Sequence, residues 1–417
     1  MQVTGQAGAH RGYLRFVCTH ARVLSFGVLL TLFSSFGQTF LISLFVPRWL
    51  EAFALDAARF GVLYAGATLL SAASLPFLGR LLDRTCLLRF SLGAGLGLVL
   101  ACLAIALAPN AGGLFLALFG LRLTGQGLLS LTASTTMART FERGRGRALS
   151  LSGLGYPLGE GLLPLGVVLL LQRADWRWSW VFLGAAIALV LLPAMVLLLR
   201  PTAGREGARG GAEVSDSGAA GNPVLLRDGR FYALLPGSLL VPLVLTALFL
   251  YQGPLAESRG WPIQTMATAF AGFAVARFGG GLLIGPWIDR WGAARIFPFV
   301  PLPLCAGLLA LSVGTAPWVA LVYLSLAGVT QGIAGPTLTA LWAEVYGVES
   351  LGAIKGTVAT LAVLATALGP MALGALLAAG VPFSAIVPGC LGLSLSVAGV
   401  SLLARRQLEA TAAPAVA

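Results

Sequence analysis

The sequence predicts an all-α polytopic membrane protein whose twelve transmembrane helices form two six-helix bundles related by a pseudo-two-fold repeat. The chain of 417 residues is 58% hydrophobic and only 10% charged, whereas a soluble domain carries about 25% charged residues. Twelve apolar stretches are each long enough to cross a bilayer, which takes roughly 20 residues. A short charged phrase at residues 79–84 returns at 285–290, at the corresponding place in the second half.

The predicted spans follow one another with short loops between them. In the first half we place them at 23–46, 60–79, 89–108, 112–138, 148–171 and 177–199. In the second half we place them at 231–251, 264–286, 296–315, 317–342, 356–379 and 384–404. We therefore predict an N-terminal bundle over 1–199, a cytoplasmic linker over 200–230, and a C-terminal bundle with a short cytoplasmic tail over 231–417. The linker is polar and rich in glycine, which is typical of a flexible connection.

The distribution of basic residues predicts the orientation. When Arg89 and Arg177, at the first residues of their spans, are counted with the adjoining loops, 20 of the 27 lysines and arginines fall before the first span, in the even-numbered loops or in the tail, and only 5 fall in the odd-numbered loops. The positive-inside rule then places both termini in the cytoplasm. The first apolar stretch is longer than a signal-peptide core of about 7–15 residues, so we expect an uncleaved helix. The strong preference for arginine over lysine is typical of a GC-rich bacterial genome, and we predict the bacterial inner (plasma) membrane.

Several function classes lack the residues that they would need. The five cysteines share no CxxC spacing and both histidines precede the first span, so we expect no metal site. There is no phosphate-binding loop of the G-x-x-x-x-G-K-[ST] form. The basic residues lie in short loops between apolar stretches, which does not indicate a nucleic-acid partner. We predict no cofactor and no enzymatic activity.

The repeated charged loop carries a family resemblance. Residues 285–292 read Gly-Pro-Trp-Ile-Asp-Arg-Trp-Gly, which has the form Gly-x-x-x-Asp-Arg-x-Gly, and residues 79–86 have the same form except that Cys86 stands where the second glycine is usual. Together with twelve spans and a central linker, this resembles the major facilitator superfamily over essentially the whole chain. The resemblance implies a transporter that works by alternating access.

A narrower resemblance is to the monocarboxylate and oxalate–formate branch of that superfamily. It depends on the phrase at 37–40, on the phrases at 343–347 and 351–354, and on an arginine in span 8. In that branch the span 8 arginine is implied to bind the substrate carboxylate, and Arg277 occupies the matching position.

The charged loops are candidates for conformational gating. Carboxylates at these helix ends can bind arginines of neighbouring loops in one conformation and release them in another. The alternative is a static positive-inside loop with incidental ion pairs, each worth about 0–1 kcal/mol. The candidate gating residues are Gly79, Asp83, Arg84, Glu142, Gly285, Asp289, Arg290 and Glu344.

Three ionisable residues lie deep inside predicted spans: Arg122, Glu160 and Arg277. They are roughly 15–20 Å of helix from the nearest span ends, and a charge at that depth costs about 2.5–3.5 kcal/mol, which marks functional residues. Glu160 can pair with Arg122 of the same bundle, which would leave Arg277 to bind a substrate carboxylate or to line a water-filled cavity. Glu160 itself is either the proton-coupling acid or only the partner that neutralises Arg122.

Polar side chains of other spans complete the predicted substrate site: Gln38, Tyr64, Gln126, Tyr156 and Gln331. We predict a secondary transporter, a symporter or antiporter, of a small organic anion of the carboxylate type, coupled to protons and working as a monomer. The alternative is a proton-coupled exporter of drug-like or amphipathic compounds. Arg277 discriminates between them, since a carboxylate carrier needs this charge and an exporter of cations is penalised by it.

Overall fold

The computed structural model describes residues 16–141, 144–199, 228–347 and 351–412. Within these ranges the secondary structure is helical, without a strand. In the described part of the chain, eleven helices are long and apolar enough to cross a membrane, and the first predicted span is a shorter apolar helix. The predicted all-α polytopic architecture is therefore confirmed, while most of the predicted linker at 200–230, with Glu142, lies outside the described residues.

The twelve principal helices lie where the apolar stretches predict them. Helices α1 to α6 are Ala21–Gly37, Ala57–Arg84, Leu87–Leu107, Ala111–Thr140, Arg145–Leu171 and Trp176–Leu199. Helices α7 to α12 are Gly229–Leu250, Ile263–Trp291, Ala293–Val313, Trp318–Tyr346, Leu351–Ala378 and Phe383–Ala412. Several are longer than predicted, because the helix continues through the polar residues beyond the hydrocarbon. With 29 residues each, α8 and α10 are roughly 43 Å long, against a hydrocarbon core of about 30 Å.

The first span is broken, although the sequence predicts one continuous helix over 23–46. Gln38 adopts an extended conformation with φ −84° and ψ 150°. Two short helices, Thr39–Ile42 and Val46–Ala52, follow the break. The backbone at Gly37 lies directly against α4, where a Cβ would collide with the carbonyl oxygen of Leu121. The bend therefore depends on a residue without a side chain.

Helix α4 has its own irregularity at the same level. Its segment Arg122–Leu129 is a π-helix, a form that is rare and is frequent at functional sites. A Cβ at Gly125 would lie 2.7 Å from the backbone nitrogen of Gly37. The two irregular backbones thus touch through glycines, and this contact sets the position of Arg122.

The two halves are joined at the end of the molecule that carries the α1–α2 and α7–α8 loops, which we call the closed end. The Nε2 atom of Gln252 donates to Ser43 Oγ at 2.5 Å and to the Phe40 carbonyl oxygen at 3.3 Å. The Tyr251 hydroxyl donates to the Ala57 carbonyl oxygen at 2.7 Å. Each of these hydrogen bonds crosses between the halves. They must break if the closed end is to open.

Replacing Gln252 with leucine is expected to weaken the closed end. The change removes hydrogen bonds worth about 1 kcal/mol each, so the population open at this end should rise by roughly tenfold. The measurement is the rate at which a membrane-impermeant maleimide labels a cysteine placed at Thr39. The matched control is Gln264→Leu, which changes an exposed glutamine of α8. Equal labelling rates in both variants would show that these bonds do not hold the halves together.

Candidate functional site

A polar cavity of about 390 Å³ lies between the two halves. It contains all three intramembrane ionisable residues and most of the predicted polar side chains. The predicted residues that line it are Gln38, Arg122, Gln126, Tyr156, Glu160, Arg277 and Gln331. The structure thus brings together side chains from the break after α1 and from four helices of both halves, α4, α5, α8 and α10. Their roles as substrate ligands remain a prediction.

Tyr64 is the predicted substrate residue that does not line this cavity. It lies behind Arg122, with the Cζ atom of that arginine 5.1 Å from the ring centroid. Its hydroxyl group is hydrogen-bonded to Thr39 Oγ1 at 2.6 Å. Tyr64 therefore supports the guanidinium plane through a cation–π contact.

Glu160 forms its ion pair with Arg277 of the opposite half. This corrects the expectation that it pairs with Arg122 of its own bundle. The reason is the packing of α5 on α8, where a Cβ at Gly161 would lie 3.4 Å from the Cβ of Ala274. Glu160 therefore faces the second half.

The two side chains of this ion pair are buried to different extents, and one carboxylate oxygen has no hydrogen-bond partner. The Glu160 side chain is 9% exposed and that of Arg277 is 25% exposed. One carboxylate oxygen, Oε1, accepts from Arg277, while Oε2 is buried without a hydrogen-bond partner. The Arg277 guanidinium also lies 5.8 Å from the ring centroid of Tyr156. This ion pair links the halves at the depth of the cavity.

Arg122 is the buried guanidinium that lacks a protein anion among the described residues. The residue is 3% exposed, and its Nη1 donates to the Gly37 carbonyl oxygen at 3.1 Å. Its Nε atom is buried without a hydrogen-bond partner. A buried charge in this state needs an anion or water. The sequence predicts that Arg277 is the arginine without a protein anion, whereas in the structure it is Arg122.

The second half contributes an apolar wall that the sequence predictions missed. Phe249 and Phe273 line the cavity with ring centroids 5.3 Å apart. Phe40 lines it from the short helix after the break. A signal was present for Phe273, because it lies four residues before Arg277 and such residues share one face of a helix. The other missed lining residues include Ser130, Thr246 and Thr366.

The first charged loop forms an ion pair within its own half. Asp83, near the end of α2, pairs with Arg139 of α4, and both side chains are more than 40% exposed. We expected the arginines of the following loops as partners. Gly79 and Arg84 lie in the last turns of α2. This pair joins α2 to α4, so a gating role for it remains a prediction.

The second charged loop is built differently. Glu344, near the end of α10, accepts hydrogen bonds from the backbone nitrogens of Ala293 at 2.7 Å and Ala294 at 3.0 Å. It therefore caps the start of α9. Asp289 makes no ion pair within the described part of the chain, and Arg290 lies over the Trp291 ring at 5.9 Å. The remaining candidate, Gly285, lies inside α8.

The difference between the two loops predicts unequal costs of mutation. Glu344→Gln removes the charge that accepts two backbone hydrogen bonds, and should lower the free energy of unfolding by about 1–3 kcal/mol. Asp83→Asn breaks an exposed pair and should cost about 0–1 kcal/mol. Thermal unfolding of the purified variants in detergent measures both. An equal loss of stability in the two variants would contradict the assignment of Glu344 as a helix cap.

The family model described as Major Facilitator Superfamily matches residues 28–278 and 234–416. The chain belongs to the major facilitator superfamily. Its family and fold indicate a transporter rather than an enzyme, in a multi-pass membrane arrangement, and support secondary transport by alternating access. The match does not confirm the narrower monocarboxylate and oxalate–formate branch.

Solved structures with this fold include two kinds of transporter. A bacterial homolog of the human lysosomal transporter Spinster, in an inward-facing and unoccupied conformation, has a TM-score of 0.70 and 17% identity, covering 93% of this chain and 97% of that one. The nucleoside transporter NupG has a TM-score of 0.71 and 14% identity, covering 94% of this chain and 98% of that one. No match was found among curated proteins. At these identities the likeness shows the fold alone.

Proposed function

We infer that this protein is a secondary transporter of a small organic anion with a carboxylate group, coupled to protons through Glu160. The observation that carries the proposal is the charge of the cavity. Its lining holds two guanidinium groups, Arg122 and Arg277, and one carboxylate, Glu160. With Glu160 ionised, one positive charge has no protein anion among the described residues. A monovalent anion in the cavity would neutralise it at a depth where a lone charge is costly.

Arg122 is the proposed anchor for the substrate. Its Nη1 contact with Gly37 and its contact with the Tyr64 ring fix the guanidinium plane, so little freedom remains to be lost on binding. A carboxylate can accept two parallel hydrogen bonds from such a plane. The unsatisfied Nε atom is one donor that it would use.

The rest of the lining suits a substrate with a short apolar body. The amide groups of Gln38, Gln126 and Gln331 offer hydrogen bonds from the polar side of the cavity. Phe249 and Phe273 of the second half add aromatic surface to the same cavity. The cavity thus combines polar groups that can orient a ligand with an aromatic wall that can pack on its body.

Proton coupling is proposed to act through the Glu160–Arg277 pair. Protonation of Glu160 removes its charge and releases Arg277, so two guanidinium groups then attract the substrate anion, with Arg122 as its anchor. Substrate and proton would then enter together, and the cavity would keep the same net charge as before. Because this ion pair links α5 to α8 across the halves, its opening also loosens the interface at which the halves rock.

Uptake by proteoliposomes tests this proposal. The purified protein is reconstituted and offered a panel of labelled aliphatic and aromatic monocarboxylates, with and without an inward proton gradient. We expect uptake of at least one carboxylate, stimulated by the gradient. Extrusion of a cationic dye with no uptake of any carboxylate would contradict the proposal and favour an exporter of drug-like compounds.

A further inference from the structure

A second cavity runs along the surface of the C-terminal half. It has a volume of about 1010 Å³ and shares no lining residue with the polar cavity. Its walls come from α8, α9 and α10. Leu283 and Trp287 in this wall are 73% and 57% exposed, so in a bilayer the groove faces lipid.

The length of the groove matches one leaflet. Its α8 wall extends from Ala276, next to the intramembrane Arg277, to Trp291, next to the charged loop. This stretch of helix rises roughly 22 Å, and half of a bilayer with its headgroup region is about 20–22 Å. Trp287 and Trp291 lie at the loop end with ring centroids 5.2 Å apart. Tryptophans at this depth are typical of the headgroup level.

The charges of the groove are at its headgroup end. The lining is apolar apart from the tryptophan indole groups, Arg295 and Arg405. Arg295 lies in the first turn of α9 and Arg405 lies near the end of α12, so two different helices bring positive charge to one place. A guanidinium group binds a phosphate oxygen pair in the same bidentate way as a carboxylate.

The deep end of the groove has room for a hydrocarbon chain. A Cβ added at Gly279 would meet nothing within 4 Å. The neighbouring Gly280 packs on α10, where its Cβ would lie 3.1 Å from the Val329 carbonyl oxygen. Gly280 therefore brings α8 close to α10, and the open apolar space in the groove is at Gly279.

We propose that this groove binds an anionic phospholipid from the leaflet on the side of the arginine-rich loops. An acyl chain lies along α8 between Gly279 and Trp287, and the headgroup phosphate is held by Arg295 and Arg405. The bound lipid packs along the helix that carries Arg277. This site is separate from the substrate cavity and does not depend on what that cavity transports.

Native mass spectrometry of the purified full-length protein tests the site. The protein is titrated with phosphatidylglycerol and with phosphatidylethanolamine that carries the same acyl chains. We expect tighter binding of phosphatidylglycerol, and a roughly thirtyfold loss of that affinity in the double variant Arg295→Gln/Arg405→Gln, since each arginine near a lipid surface is worth about a factor of five. The matched control is Arg89→Gln, which changes an exposed arginine in the first turn of α3, the position in the first half that corresponds to Arg295.

A second variant tests the acyl channel. Gly279→Leu should reduce the binding of both lipids, because its side chain fills the open space. The matched control is Gly93→Leu on α3, where an added Cβ also meets nothing within 4 Å, and which should bind like the wild type. Equal affinity of the wild type for the two lipids, or an unchanged affinity in the arginine double variant, would overturn the proposal. So would a dimer that Gly279→Leu dissociates, since the groove would then hold a second copy of the chain.

Tryptophan quenching checks the site in protein that keeps both Arg295 and Arg405. Dibrominated phosphatidylglycerol in mixed micelles should quench the wild-type fluorescence more strongly than dibrominated phosphatidylethanolamine. The excess quenching should disappear in the variant Trp287→Phe/Trp291→Phe. Identical quenching by the two lipids would contradict the proposed headgroup selectivity.

Discussion

Replacing Arg122 with glutamine is expected to lower carboxylate uptake by about a hundredfold or more. The change removes the guanidinium that the proposal pairs with the substrate, and the loss of one partner from a buried, hydrogen-bonded charge pair costs about 2–5 kcal/mol. The variant also removes the one buried positive charge without a protein anion in the described cavity, so the empty protein should be at least as stable as the wild type. Initial uptake rates in proteoliposomes and thermal unfolding measure the two effects.

Arg177 provides a matched control for this variant. Its Nη1 donates to the carbonyl oxygens of Ala106 at 2.7 Å and Ala108 at 3.0 Å, and its Cζ lies 4.4 Å from the Trp176 ring centroid. It therefore makes the same kinds of contact as Arg122 but lies outside the polar cavity. Arg177→Gln should leave the substrate affinity unchanged. If Arg122→Gln transported carboxylates like the wild type, Arg122 would be a structural arginine.

Replacing Glu160 with glutamine is expected to abolish proton-driven net uptake while preserving exchange of substrate for substrate. In the variant Arg277 has no carboxylate partner, so the empty cavity carries two uncompensated guanidinium groups. The empty variant should therefore switch slowly between its inward-open and outward-open conformations, because buried unpaired charges are costly. The variant with substrate bound should still switch, because the anion compensates one of the two guanidinium charges. Net uptake and counterflow, each measured from pH 5 to 8, separate the two behaviours, and exchange by the variant should not vary with pH.

The paired variant Glu160→Gln/Arg277→Gln controls for the loss of charge balance. It removes both members of the ion pair, so the net charge of the cavity stays that of the wild type. It should therefore be more stable than Arg277→Gln alone, which leaves Glu160 buried without its partner. Net uptake by Glu160→Gln that still responds to the proton gradient would show that another group carries the proton.

The sequence predicts where each helix lies and how deep each charge is. Apolar length places the twelve spans, because the bilayer thickness fixes how many residues must cross. Depth along a helix follows from residue counting, and this placed Arg122, Glu160 and Arg277 near one level. The structure brings all three into one cavity.

The pairing of those charges could not be read from the sequence, because residue counting gives the depth of a side chain but not the direction in which its helix faces. Glu160 faces Arg277 because α5 packs on α8 in this fold. The repeated loop suggested that its two copies make similar contacts, which is wrong. Asp83 binds an arginine side chain, whereas Glu344 at the other loop binds backbone nitrogens.

The irregular backbone at the site was also beyond sequence reasoning. Gly37 and Gly125 are two glycines among 54, and each lies in a stretch whose hydrophobicity predicts a regular helix. Only the packing shows that their backbones meet and that Arg122 starts a π-helical segment there. That contact holds Arg122 against the Gly37 carbonyl oxygen, whereas the packing of α5 on α8 gives the only carboxylate of the described cavity to Arg277.

The most direct test of the central claim is to compare the binding of monocarboxylates with that of their primary amides, which have nearly the same shape but no charge. Calorimetric titration of the wild type and of Arg122→Gln with matched pairs of these compounds separates the charge from the rest of the contact. The proposal predicts that the wild type binds a carboxylate about a hundredfold more tightly than its amide, and that Arg122→Gln loses most of this preference. Equal binding of acid and amide by the wild type, or an unchanged preference in the variant, would contradict the claim that Arg122 binds the carboxylate of the substrate.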